Sequence, residues 1–277
     1  MRYGVVVPNF STPERLIELG VRSERHGFDG FFLWDHVYRN GPPRPLSDTW
    51  TTLAALAMRT ERVRLGSWVT PLPRRRAHVL ARQVVTVDHL SGGRVVLGVG
   101  LGSQGAAQSL DEFSRFGEDP DPRHRAVLMD ESLHALSGYF SGTEFSYEGT
   151  AVQARSTVFV PRPLQASLPV WAACEWPRRT PLRRAARVDG FCPIKIVEGE
   201  YRFMTPDDVH DLRVAVEARR GADAAFDIAI VAGPPPRAGV SEFEEAGATW
   251  LLMGTEGDPG WEVPMAELIR RGPTALA

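Results

Sequence analysis

Eight short apolar runs, each followed by a stretch with helical spacing, succeed one another along this chain, and that alternation narrows its fold more than any other feature. The pattern predicts strands over residues 3–8, 29–33, 63–68, 94–98, 168–173, 190–194, 226–231 and 248–253. Helices are expected over 13–26, 48–58, 78–89, 125–136, 181–188, 206–220 and 263–271. Across 78–90, Val79, Leu80, Val84, Val87 and Leu90 are expected on one face, the spacing of an amphipathic helix. Thr205-Pro206-Asp207-Asp208 carries a cap residue, a proline at the first helical position and acids in the first turn, a strong helix start. Strand–helix steps demand a parallel sheet, and eight of them in 277 residues fit a closed (β/α)8 TIM barrel of α/β class. With 43% of residues hydrophobic, one core can hold the whole chain, so residues 1–277 are expected to form a single domain.

Two stretches break the rhythm. The polar segment 103–124, with Pro120 and Pro122, predicts a long loop after the fourth strand. The segment 139–166 predicts a second excursion before the fifth strand, with strand-like pieces at 144–147 and 157–160. Loops this long in a compact domain usually carry function. Between 231 and 248 the chain has a proline-rich piece, 233–237, and then barely two helical turns, so the seventh helix is expected to be shortened. Gly100 to Gly105 spells GxGxxG, which also opens dinucleotide-binding folds. Here it follows the fourth strand rather than the first, which argues against a doubly wound sheet.

Several function classes are disfavoured. Thirty-two basic against 34 acidic residues leave a net charge of −2, and the densest basic cluster is only Arg74-Arg75-Arg76, so no nucleic-acid footprint is present. The chain opens directly on a strand-like run, and no apolar stretch reaches membrane-spanning length; a soluble, cytoplasmic protein without a membrane partner is expected. Cys174 and Cys192 suggest reduced thiols rather than a disulfide framework. No metal-ligand spacing occurs, so no metal site is expected. Lys195 is the only lysine and follows the sixth strand, where a barrel aldolase places its Schiff-base residue; this keeps a second enzyme class open.

A barrel builds its site from the C-terminal ends of its strands. The residues there are Pro8-Asn9-Phe10, Trp34-Asp35-His36, Ser67-Trp68-Val69-Thr70, Gly100-Leu101-Gly102, Cys174-Glu175-Trp176 and Ile194-Lys195. Aromatic, glycine and amide groups dominate, suited to a planar organic cofactor. At this point the chain resembles the bacterial luciferase-like monooxygenases, flavin-dependent and deazaflavin-dependent oxidoreductases on a TIM barrel. The segments that carry the resemblance are Asp29-Gly30-Phe31-Phe32-Leu33-Trp34-Asp35-His36, Thr60 to Gly66, Thr70 to Arg76, Asp88-His89-Leu90-Ser91-Gly92-Gly93-Arg94 through Gly102, and Pro169 to Gly190.

The resemblance implies FMN or F420 across the barrel mouth, a small organic substrate, and turnover as a monooxygenase. The reduced cofactor would come from a flavin reductase or from NAD(P)H. His36 matches the family histidine that faces flavin and substrate, and a side chain titrating near pH 6.5 suits proton transfer. The alternative is a structural histidine bonded to Asp35 or Trp50. Ser67, Trp68, Val69 and Thr70 match the place where the family often has a non-prolyl cis peptide under the ring; ordinary packing of Trp68 is the other reading. Gly100 and Gly102 would let the cofactor pass close to the fourth strand, although tight loop packing also selects glycine. Cys174, Glu175, Trp176, Arg178, Arg179 and Thr180 match the phosphate end, ahead of a helix N-terminus. Where close relatives carry glycine this chain has Cys174, which would crowd the phosphate.

Arg74 to Arg76 would line a channel for an F420 tail. Asp88, Arg94 and Asp189 read as structural charges. The loops' apolar and aromatic content hints at an uncharged substrate, and the family implies a homodimer through the helices at 48–58 and 78–89. A flavin-binding barrel with little or no activity is the remaining alternative.

Overall fold

The computed structural model describes residues 1–102, 112–178, 180–221, 225–232 and 239–273. Eight strands form the barrel: β1 (Arg2–Val7), β2 (Gly30–Leu33), β3 (Arg64–Ser67), β4 (Val95–Gly100), β5 (Val170–Trp176), β6 (Gly190–Val197), β7 (Asp227–Ala232) and β8 (Trp250–Met253). Each pairs in parallel with the next, and β8 returns to β1 through Arg2↔Trp250 and Val5↔Met253, which closes the ring. The outer layer holds α1 (Pro13–Arg25), α2 (Thr49–Ala57), α3 (Ala77–Ser91), α4 (Pro122–Ser141), α5 (Pro206–Arg220), α6 (Val240–Glu245) and α7 (Glu262–Arg271). All eight expected strands are present, the seventh helix is shortened to six residues, and long excursions follow β4 and precede β5.

Alternation along the strands divides the apolar side chains into two sets. Val6, Phe32, Val96, Trp171, Cys192, Trp250 and Leu252 fill the barrel interior. The opposite faces pack beneath the helices, with Val5, Val7, Phe31, Leu33, Leu65 and Phe191 all fully buried. Phe32 sits amid Trp68, Trp171 and Trp250 at centroid distances of 6.0, 5.5 and 5.8 Å, so the axis is a packed aromatic column rather than a pore. Burial of each such side chain is worth ~1.5–3 kcal/mol.

Local expectations fail in instructive ways. Residues 181–188 were expected to be α-helical, yet Pro181–Arg187 is a 3-10 helix. The second piece of the hairpin lies at Gln153–Thr157 rather than 157–160, paired with Phe145–Glu148. Glu131 organises its turn: its two carboxylate oxygens accept from Thr150, Ala151 and Val152. On α3, Leu80, Val84 and Val87 are buried as expected, but Val79 and Leu90 are exposed at the ends of the stripe, and Ala77, Ala81 and Val85 complete the buried face. Thr205 caps α5 as expected, and it also closes a capping box with Asp208.

The charges expected to be structural are so. Arg94 donates to the carbonyls of Ala57, Thr60, Val63 and Ser91; Asp88 accepts from Leu164 and Gln165, and Asp189 from Val170. Among the described residues no helix is long and apolar enough to cross a membrane, and no cluster of side chains could hold a metal ion.

Candidate active site

The mouth at the C-terminal strand ends is organised around His36, three residues beyond β2. Asn9, fully buried after β1, fixes its backbone by donating to the carbonyls of His36 and Ser47, each at 2.8 Å, and by accepting from the His36 amide. The imidazole stacks on Phe10 at 5.3 Å and meets Trp34 edge-on at 5.6 Å. Its side chain is 17% exposed, so it reaches solvent at the mouth.

The partner of His36 is neither Asp35 nor Trp50 but Glu112, from the loop after β4. Nδ1 lies 3.0 Å from Glu112 Oε2, and that carboxylate is almost completely buried. The same oxygen accepts from Arg74 at 2.8 Å, while Oε1 accepts from the amides of Val37 at 2.6 Å and Tyr38 at 3.0 Å. Burial alone would raise the Glu112 carboxyl, but the hydrogen bond and charge of His36, the charge of Arg74 and the Val37 amide outweigh it and hold the carboxyl below its usual range. An ionised carboxylate only accepts, so His36 must donate from Nδ1, and in the neutral ring Nε2 is left as the acceptor.

The other nominal partners are committed elsewhere. Asp35 is buried under Arg75, whose Nε and terminal nitrogen donate to its two oxygens at 3.2 and 2.6 Å, and Arg74 also donates to the Asp35 carbonyl. The Trp50 indole donates to Thr70 Oγ1 at 3.0 Å. Arg74 to Arg76 do line a cavity of about 550 Å³, together with Gln83, Phe116 and Glu118. However, Arg74 and Arg75 spend their charge on Glu112 and Asp35, which corrects the picture of a free cationic channel. Glu118, on the same cavity wall, has its carboxyl raised mainly by burial.

At β3 the Trp68–Val69 peptide is cis. Trp68 and Val69 remain partly exposed above the interior cluster, whereas Ser67 and Thr70 are buried. The Ser67 hydroxyl donates to the Gly98 carbonyl, while Thr70 Oγ1 accepts from the Trp50 indole and keeps its own O–H donor. Val69 also explains Gly100, where an added Cβ would fall 2.6 Å from Val69 Cγ2. Gly102 has φ of +84°, and a Cβ there would meet the Phe113 ring at 2.7 Å. Packing against neighbours therefore accounts for both glycines.

Residues 174–176 belong to β5 rather than to a connecting loop. Cys174 packs with the outer layer, on the face opposite Trp171, and burial pushes its thiol up to about 12. It therefore cannot crowd a phosphate at the mouth. Trp176 also packs against the outer layer, while Glu175 lies on the interior side and pairs with Arg178 at 2.8 Å. Arg178 is 72% exposed and Thr180 precedes the 3-10 helix; Arg179 lies outside the described residues. Lys195 turns outward and donates to both oxygens of Asp208 at 2.8 and 2.6 Å, which removes the basis for a Schiff-base site.

The family model described as luciferase-like monooxygenase matches residues 1–243. The chain belongs to the luciferase-like monooxygenase family. An F420-dependent glucose-6-phosphate dehydrogenase of Nakamurella multipartita is 33% identical over 184 residues, covering 65% of this chain and 51% of that protein. The corresponding enzyme of Microbacterium testaceum is 33% identical over 180 residues, covering 64% and 51%. The chain spans about half the length of these curated relatives.

In fold it is similar to an F420-dependent secondary alcohol dehydrogenase in complex with an F420-acetone adduct (TM-score 0.76, 14% identity, 100% of this chain and 99% of that chain). It is also similar to the F420-dependent tetrahydromethanopterin reductase of Methanopyrus kandleri (TM-score 0.74, 15% identity, 100% and 99%).

Within this luciferase-like barrel, Glu112 is the residue that sequence reasoning missed. It is separated from His36 by 76 positions, in a loop that carries no periodic signal. It is one of five acids in the 103–124 stretch and directly follows Asp111, so nothing local singled it out.

Proposed function

We propose that this luciferase-like barrel is an oxidoreductase that binds F420 or FMN across its mouth and acts on a small organic substrate, with His36 moving the proton. The observation that carries this reading is the His36–Glu112 pair, a histidine held in one tautomer with Nε2 at a solvent-reaching mouth. The residues suit such a cofactor chemically. Trp34 and Trp68 offer part-buried aromatic surface, and Arg178 offers an exposed guanidinium whose partner is the nearby Glu175. Trp34, Trp68 and Val69 would hold the ring, and Arg178 with Thr180 the phosphate. Bound there, the cofactor supplies two-electron chemistry.

Glu112 keeps the proton on Nδ1, so neutral His36 takes a proton at Nε2 and, once charged, returns it from the same atom. Phe10 and Trp34 fix the ring plane and limit the water around it. The identity with F420-dependent dehydrogenases supports F420 over FMN, and hydride transfer over oxygen insertion. A reductase or NAD(P)H as the source of reduced cofactor belongs to the same reading. So does a homodimer through α2 and α3, where Met58, Val79 and Leu90 are exposed.

Absorbance and fluorescence titrations with F420 and FMN test the assignment directly, since failure of both to bind removes it. At saturating cofactor, His36→Ala is expected to lower kcat/KM by roughly 10²-fold while affinity stays within a few-fold. Unchanged turnover would end the catalytic role.

A further inference from the structure

We propose that Arg39 and Arg44 form a seat for an anionic group of the substrate, a phosphate or carboxylate, at the Phe10 ring on which His36 stacks. The seat deepens the oxidoreductase reading above by naming a substrate class. It replaces the uncharged substrate suggested by the composition of the loops.

The seat is built from three loops at the C-terminal end of the barrel. Phe10, after β1, stacks one way on His36. The Arg39 and Arg44 guanidiniums, from the loop after β2, lie 4.9 and 4.8 Å from the centroid of that same ring. The loop after β8 supplies Gly257, whose carbonyl accepts from Arg39 at 2.7 Å and fixes its direction. Two cations gathered on one ring repel each other, and burial together with the charge of Arg39 weakens the hold of Arg44 on its proton.

The countercharge within the protein is thin. Arg39 comes only within 3.9 Å of Asp258, which is 78% exposed. Asp258 and Glu262 act on Arg44 through charge alone, and no hydrogen bond or ion pair to Arg44 is formed among the described residues. Arg74, Arg75 and Arg184 are different: each is paired with a carboxylate within 2.8 Å. A guanidinium over an aromatic face still presents N–H donors at its edge, here those of Arg44 and the ones Arg39 does not give to Gly257, and such an edge fits an oxyanion. An anion held on this edge lies beside Phe10, the ring on which His36 stacks.

Calorimetric and NMR titrations of the full chain test the seat, using glucose 6-phosphate and phenyl phosphate against glucose and phenol. The phosphate esters are expected to bind at least tenfold more tightly than their neutral counterparts, and to shift both arginine Nε–H and His36 ring resonances. Arg44→Gln should weaken ester binding at least tenfold and Arg44→Lys less; thermal melts confirm that each variant is folded. Equal binding of neutral and charged probes, or full retention in Arg44→Gln, overturns the proposal.

Parallel titrations with F420 and FMN separate the two sources of such an anion. If Arg44→Gln weakens F420 but leaves the esters unaffected, the arginines serve the cofactor tail and the substrate assignment falls. Ester binding without binding of either cofactor would retain the anion seat and defeat the oxidoreductase reading instead.

Discussion

Replacement of Glu112 by glutamine changes one atom and should reverse the polarity of His36. Oε1 of Glu112 accepts from two backbone amides, Val37 and Tyr38, which cannot turn away. The glutamine oxygen must therefore occupy that position, and its NH2 group then faces His36 Nδ1 and Arg74, both donors in the native protein. His36 escapes the clash by moving its proton to Nε2, so the neutral ring loses its acceptor at the mouth. Arg74 keeps Asp35 at 3.5 Å but loses its closer partner.

Breaking a buried pair costs about 3–5 kcal/mol, and the remaining aspartate places this case near about 3. For a chain of this size that is a fall in Tm of roughly 6–12 °C. Loss of the base should reduce kcat/KM by about 10²-fold. Long-range 1H–15N spectra read the tautomer directly, without cofactor. Wild-type His36 should carry its proton on Nδ1, and Glu112→Gln should carry it on Nε2. An Nε2–H ring in the wild type, or an unchanged tautomer in the variant, would refute the reasoning.

Acid should reproduce the loss of stability, because Glu112 has a lowered carboxyl. Its contribution to stability is complete above the unfolded carboxylate range and is lost as pH falls through the lower folded value. Glu131 is held at about 2, so the turn it caps should stay protected from amide exchange until the pH drops from about 4.5 toward 2; Glu131→Gln should speed exchange at Thr150 to Val152 several-fold even at neutral pH. Cys174 and Cys192, both buried with raised thiols, should resist iodoacetamide at pH 8 in the folded protein, and rapid labelling of Cys174 would contradict its placement in the outer layer. Arg178→Gln should weaken cofactor binding by about 1–3 kcal/mol and spare turnover at saturation, as measured by titration and steady-state kinetics.

The fold was legible because its signals are local and repeated. Strand alternation, the Thr205 cap and the glycines flanking β4 each constrain a few neighbouring residues, and each agrees with the same barrel. The site was less legible because its decisive contacts are not local. His36 was visible from its position after β2, but its partner had to be brought in by a loop without periodicity, and Asp35, although adjacent in sequence, was taken by Arg75. Strand parity misplaced Cys174 for a related reason: an extension of β5 to Trp176 turned a supposed loop residue into an outward-facing strand residue.

Ser67 and Thr70 show a further limit, since a hydroxyl at a strand end serves a ligand or its own scaffold according to what packs beside it. Here the Gly98 carbonyl takes the Ser67 proton, and the Trp50 indole takes one acceptor position of Thr70. What remains available at the mouth is therefore more informative than what is merely present: Nε2 of His36, the edge of Arg44, the donors of Arg39 beyond the one given to Gly257, and the exposed Arg178 beside Glu175. On the proposed reading these few groups would form a proton-transfer position with cationic surface nearby, an arrangement suited to an anionic substrate rather than a purely apolar one.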